Sequence, residues 1–145
     1  MKKEKSNQLR ELIRILIRDL GVLEKSDSSC SGVTISQCHA IVEIGRNEEL
    51  SLNELARILN LDKSTMSRTI NKLVKEELVI REAHPEDRRY IVIRLTDKGS
   101  DLFKNIEKNM TNYYEDIFTA IEESKREQIL DSLKILIEAL HKNKC

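Results

Sequence analysis

The sequence predicts a mainly α-helical protein that carries one β-hairpin. Glycine and proline together make up only five of the 145 residues, where average usage is about 12%, so long helices and few turns are expected. Apolar residues recur at helical spacing near both ends of the chain, while two short runs within 79–95 are rich in β-branched residues. A chain of this length is expected to form a single domain over residues 1–145.

The first two helices are predicted from periodicity and capping. Apolar residues at helical spacing place the first helix from about residue 7 to residue 24, and a loop of small residues follows over 26–32. Thr34 and Gln37 have the spacing of a capping box, which opens a second helix. Gly45 is expected to end that helix in a left-handed conformation.

The next two helices are short and closely spaced. Ser51 and Glu54 form a second capping box, Asn60 suits a left-handed turn, and Asp62 can cap a helix over about 63–76. Two short helices joined by three residues predict a helix-turn-helix.

A hairpin and two further helices complete the chain. Strands are predicted over 79–83 and 90–95, because both runs are rich in β-branched residues. In the second run, Ile91, Ile93 and Leu95 alternate with the residues between them, as in a half-buried strand. A polar turn over 84–89 joins them. Thr96 then caps a long helix to about residue 121, and a third capping box of Ser124 and Glu127 opens the final helix.

A helix-turn-helix followed directly by a two-stranded hairpin predicts a winged helix. The outward face of its second helix carries hydroxyl, amide and cationic side chains, which suit base edges and phosphates in the major groove. An ordinary solvated helix face is the alternative interpretation. The predicted DNA-facing residues of this helix are Ser64, Thr65, Arg68, Asn71, Lys72 and Lys75.

The turn of the hairpin carries a second candidate site. Asp87 precedes Arg88 and Arg89, and a carboxylate can hold a planar guanidinium in a fixed geometry. An arginine oriented in this way suits the negative potential of a narrow minor groove. The alternative is a solvated hairpin whose exposed charges contribute little.

The balanced formal charge, 25 basic against 25 acidic residues, does not exclude DNA binding, because the local field decides that property. Residues 57–98 hold ten basic and seven acidic residues. The basic excess therefore lies where the predicted recognition helix and wing lie.

Two segments resemble the MarR (multiple antibiotic resistance regulator) family. Residues 87–99, Asp-Arg-Arg-Tyr-Ile-Val-Ile-Arg-Leu-Thr-Asp-Lys-Gly, look like that family's wing and the helix start after it, and residues 61–68 resemble the opening of its recognition helix. The resemblance covers the whole chain in length and element order. It implies a homodimeric bacterial regulator, usually a repressor, that binds a short inverted repeat in double-stranded DNA and releases it on meeting an effector.

The terminal helices are expected to form the dimer. They carry more apolar surface than a small monomer buries, so residues 1–33 and 97–145 are predicted to be mainly dimerisation segments around a winged helix-turn-helix lobe over 34–96. The partners expected are DNA, a second copy of the chain and an unknown effector.

The effector is predicted to be a small ligand, an oxidant or a metal. Cys30, Cys38 and His39 cluster near the second helix and could act as redox thiols or soft metal ligands, or be structural. Zinc-sensing relatives have a histidine at the position of His39, but their remaining ligands come from acids and histidines where this chain has Asn105, Ile106 and Met110. The same zinc site is therefore not expected, and the metal is unknown.

No catalytic motif is present, so neither an enzyme nor a cofactor is expected. Three cysteines are too few for a disulfide scaffold, and no signal or membrane segment is visible, which predicts a cytoplasmic protein without a membrane partner. The alternative function is a winged-helix scaffold module that binds protein instead of DNA.

Overall fold

The computed structural model describes residues 1–25, 33–47 and 49–143, with the side chains of 21–25 left out. Its helices are α1 (Lys2–Lys25), α2 (Ile35–Arg46), α3 (Leu52–Ile58), α4 (Lys63–Lys75), α5 (Asp97–Ala120) and α6 (Arg126–Lys142). Its strands are β1 (Leu50–Ser51), β2 (Val79–Ala83) and β3 (Ile91–Leu95). The predicted loop over 26–32, Cys30 and Cys145 lie outside the described residues. The mainly helical winged helix-turn-helix fold is confirmed.

The chain divides into two compact units, one from Met1 to Asn109 and one that begins at Met110. In the first unit, α2, α3 and α4 pack together and against an antiparallel sheet of strand order β1-β3-β2. The apolar side of α4 contributes Met66, Ile70 and Leu73 to the core of this unit, all fully buried. Since one side of α4 is buried in this way, its polar side is left facing outward.

Caps set the helix boundaries as the sequence indicates. Thr34 Oγ1 accepts from the Gln37 amide at 3.2 Å, and the Gln37 side chain accepts from the Thr34 amide at 3.0 Å. Ser51 and Glu54 form the same reciprocal pair at the start of α3. Asn60, in the turn before α4, has a left-handed φ of 55°.

The structure contradicts the expected end of the second helix. This helix continues through Gly45 to Arg46, and Asn47 after it is extended. Gly45 is needed for a different reason: a Cβ there would overlap the ring of Phe103 on α5. The absent side chain therefore lets α2 and α5 approach closely.

The third capping box is also wrong. Residues Glu123–Lys125 form a 3-10 turn, and α6 begins without a side-chain cap. Ser124 Oγ instead donates to the Glu122 carboxylate at 3.1 Å. In the second unit this junction is held by Arg126, whose Nε donates to the carbonyl of Ile121 at 3.0 Å and whose guanidinium lies 5.3 Å from the Phe118 ring centre.

Two smaller predictions differ from the structure, and one strand was not predicted. The first helix begins at Lys2 instead of about residue 7, and β1 was not predicted from the sequence. The last strand starts at Ile91, which is exposed, while Val92, in the central strand of the sheet, is buried. None of the helices in the described part of the chain is both long and apolar enough to cross a bilayer.

Candidate nucleic-acid interface

The outward side of α4 carries the residues predicted to face DNA. Asp62 caps the helix by accepting from the Thr65 amide at 3.2 Å. Five of the six predicted side chains are exposed, and Thr65 is half-buried. The exposed five are Ser64, Arg68, Asn71, Lys72 and Lys75. No acidic residue lies within α4, so its outward face is polar and cationic along its length.

The first turn of α4 links three side chains in a chain of hydrogen bonds. The Thr65 hydroxyl donates to the Asp62 carboxylate and accepts from the Arg68 guanidinium at 3.4 Å. These bonds from the Thr65 side chain and amide hold the pKa of Asp62 below its usual value, with the charge of Arg68 adding to the effect. Because the Thr65 hydroxyl proton is committed to Asp62, Thr65 steadies the helix start and Arg68 next to it.

The wing tip orients one arginine. Arg89 Nε and a terminal nitrogen donate to the two carboxylate oxygens of Asp87 at 3.0 and 2.9 Å, and the Arg89 amide donates to Oδ1 at 3.1 Å. The Arg89 side chain remains 86% exposed. The side-chain bond from Arg89 lowers the pKa of Asp87, and the same bond raises the pKa of Arg89. The predicted bidentate pair is therefore formed, and Arg88 beside it is exposed.

The base of the wing contains an ion-pair network that the sequence did not reveal. His84 Nε2 lies 3.3 Å from the Glu49 carboxylate, and the Arg94 guanidinium lies 3.7 Å from Glu49 and 3.1 Å from Glu82. Glu82 lies directly opposite Val92 in the β2–β3 ladder. The ion pair between Glu82 and Arg94 is therefore a diagonal one. Opposite charges at diagonal positions on one face of a hairpin can pair, and this spacing is the signal in the sequence that could have indicated the contact between Glu82 and Arg94.

A contact between the wing and α4 was also missed. The Arg81 guanidinium, on β2, donates to Oδ1 of Asn71 on α4. Both side chains are exposed. Arg81 therefore joins the residues of the polar face.

The candidate effector residues lie in a different part of the lobe. Cys38, in the first turns of α2, is 6% exposed and disulfide-bonded, while His39 is exposed. Among the residues that the structure describes, no three histidine, cysteine, aspartate or glutamate side chains form a group suited to a metal ion.

Comparison with known proteins shows which family model and which regulators this chain is similar to. Residues 31–89 match the model of the MarR family. The chain is 24% identical over 105 residues to YdgJ of Bacillus subtilis (strain 168), a transcriptional regulator of helix-turn-helix type, and 23% identical over 122 residues to the regulator BilQ of Clostridium symbiosum (strain WAL-14163). These alignments cover 72% and 84% of this chain, and 64% and 85% of the relatives, so the chain spans slightly less than two thirds of YdgJ.

A solved structure extends the likeness over nearly the whole chain. The structure of Streptococcus pneumoniae FabT in complex with DNA superposes with a TM-score of 0.87 and covers 96% of this chain and 99% of its own, at 20% identity. The fold of this chain is therefore that of a winged helix-turn-helix protein, and its α4 carries a polar, cationic outward face. The match to the MarR family model covers residues 31–89, which is less than half of the chain, and the two relatives named above are transcriptional regulators.

Proposed function

We propose that this protein is a homodimeric repressor that binds a short inverted repeat in double-stranded DNA and releases it on meeting an effector. The observation that carries the proposal is the paired placement of a cationic polar face on α4 and an oriented arginine at the wing tip. The DNA-bound state of FabT, which has the same fold, supports it.

The two parts of the surface have different roles in this proposal. α4 enters the major groove, where Arg68 reads a base and Ser64, Thr65, Asn71, Lys72 and Lys75 contact bases or phosphates. Arg89 enters the minor groove with Arg88 beside it, and Asp87 keeps the guanidinium of Arg89 in place. The minor groove distinguishes bases poorly, so Arg89 supplies affinity more than base preference.

Fluorescence anisotropy on DNA from upstream of the protein's own gene tests this function across a salt series. Arg68→Ala is expected to cost about 1–3 kcal/mol and to relax base preference. Arg89→Ala should weaken binding to all sequences and flatten the salt dependence. The control Arg46→Ala removes a guanidinium that is paired with Glu107. It should leave the affinity for DNA and its salt dependence unchanged. A wild-type protein with no salt-dependent binding would indicate the scaffold function instead.

Dimerisation follows from apolar side chains that α1 and α6 leave exposed. They include Leu12 and Ile17 on α1 and Leu133 and Ile137 on α6. A monomer seldom leaves so many large apolar side chains in water. A symmetric dimer would cover them and repeat α4 and the wing about one DNA turn apart.

The effector step of the proposal involves Cys38. Its helix packs against α4 and β3, so reduction of the disulfide that Cys38 forms, or its re-formation, can shift the population of DNA-competent lobes. Oxidised wild-type protein is expected to bind DNA more weakly than protein reduced with dithiothreitol. Cys38→Ser should abolish the difference, Cys30→Ser should reduce it, and Cys145→Ser should retain it. An equal response of wild type and Cys38→Ser would leave a small organic ligand as the effector; His39 would then be tested as its contact.

A further inference from the structure

The contact between Arg81 and Asn71 joins two elements that would approach DNA from different directions. Asn71 lies on the outward face of α4, one turn after Arg68, and Arg81 lies on β2. The backbone of Arg81 is fixed by antiparallel pairing with Ile93, a fully buried residue of β3. The donor is therefore anchored in the sheet, while the acceptor is a side chain of the recognition helix.

The chemistry of the pair determines which way the Asn71 amide is turned. A guanidinium has five N–H donors and no acceptor. The atom of Asn71 that faces Arg81 must then be Oδ1, as the structure has it, and a flipped amide would direct two donors at a cation. The amide NH₂ is consequently turned away from Arg81.

We propose that Arg81 is a positioning residue that makes Asn71 a hydrogen-bond donor to DNA. An asparagine that reads adenine uses both ends of its amide, accepting from N6 and donating to N7. With its oxygen turned toward Arg81, Asn71 presents mainly its donating NH₂ group to the groove. At the base that it faces, Asn71 therefore favours one that presents acceptors in the major groove, such as guanine through O6 and N7 or thymine through O4, over cytosine, which presents the N4 donor.

This inference rests on the proposed function, and sequence preference is the measurement that tests it. Wild type and Arg81→Met are each used to select sequences from a library of randomised duplexes. We expect a guanine or thymine preference at the positions read by Asn71, and a loss of about tenfold in discrimination at those positions in Arg81→Met. The preference for adenine rises there, because the freed amide can accept from N6 as well as donate to N7.

Two further variants separate positioning from a direct contact. Arg81→Lys retains a donor without an acceptor and should preserve the preference in part. In an Asn71→Ala background, Arg81→Met should cause no additional loss of discrimination, because Arg81 acts through Asn71. Circular dichroism of each variant confirms folding, with Arg81→Ala as the replacement if the methionine variant does not fold.

The outcomes that contradict the inference differ from those that contradict the function. Enrichment of one motif by wild type, with an unchanged motif in Arg81→Met, overturns the positioning role alone. A uniform loss of affinity for all duplexes that persists in the Asn71→Ala background assigns Arg81 to a phosphate and also overturns it. Failure of wild type to enrich any sequence overturns the proposed function and the inference together.

Discussion

Two oppositely charged side chains at the wing tip fix each other. The carboxylate of Asp87 accepts three hydrogen bonds from Arg89, two from the guanidinium and one from the backbone amide. All three favour the charged form of Asp87. An arginine held in this way loses less side-chain freedom when it enters a groove, because its orientation is already set.

This pair predicts how the wing tip responds to pH. The lowered pKa of Asp87 means that its contribution is fully present above the ordinary aspartate pKa and is lost only as the pH falls through the lowered value. The geometry of Arg89 should therefore not change between pH 5 and pH 8. Carbon-detected NMR titration of the Asp87 carboxyl should give a lower midpoint in wild type than in Arg89→Ala. Equal midpoints would show that the pair does not form in solution.

Gly99, the last residue of the segment 87–99 that resembles the MarR wing, allows a close contact between α5 and the sheet. A Cβ at this position would overlap the carbonyl of Leu78, and that carbonyl accepts from the Thr96 amide at 3.0 Å. Thr96 in turn caps α5 by accepting from the Gly99 amide at 3.0 Å. The glycine is thus required where α5 leaves the sheet, a reason that only the folded chain displays.

At the scale of elements, local signals predicted most of the fold. The capping residues Thr34, Ser51 and Asp62 and the left-handed Asn60 act within four residues of themselves, and all four are confirmed. The Asp87–Arg89 pair was predictable for the same reason. Features that depend on distant partners were missed: β1 has two residues and pairs with β3 some 40 positions later, and Arg81 reaches Asn71 only after the hairpin has folded.

The two serine motifs show the limit of a local pattern. Ser51 and Ser124 both stand three residues before a glutamate, but only Ser51 forms a capping box. At Ser124 the 3-10 turn and the bond to Glu122 replace it. The choice is made by the segment before the helix, which the four-residue pattern does not include.

The different roles of Ser51 and Ser124 can be measured through the free energy of unfolding. Ser51→Ala should lower the free energy of unfolding by about 1 kcal/mol, because it removes a cap and leaves the Glu54 amide without its acceptor. Ser124→Ala is the matched control and should change it by less than about 0.5 kcal/mol. Urea denaturation followed by circular dichroism provides both values. A loss at Ser124 as large as that at Ser51 would mean that the third capping box forms after all.

At the scale of the whole molecule, a neutral total charge conceals an uneven distribution. The polar face of α4 and the wing tip are cationic, whereas α1 and α6 leave large apolar side chains exposed. The α4 face and the wing tip suit a polyanion, and the exposed apolar side chains of α1 and those of α6 each suit burial against another apolar surface. This separation accounts for the proposed division between a DNA-binding lobe over 34–96 and dimerisation segments over 1–33 and 97–145.

The final helix offers a matched pair of isoleucines that tests the dimer. Ile137 lies on the stripe with Leu130, Leu133 and Leu140, while Ile135 lies on the other side of the helix; they are 50% and 68% exposed. Ile137→Glu should produce monomers, because a buried carboxylate at a symmetric interface would have no partner. It should also weaken DNA binding, since two half-sites are no longer bound together. Ile135→Glu makes the same chemical change and should leave the dimer intact. Sedimentation velocity gives the oligomeric state, and unchanged helical content by circular dichroism shows that both variants are folded. If Ile137→Glu stays dimeric, or if both variants dissociate to the same extent, then the α6 stripe is not the interface.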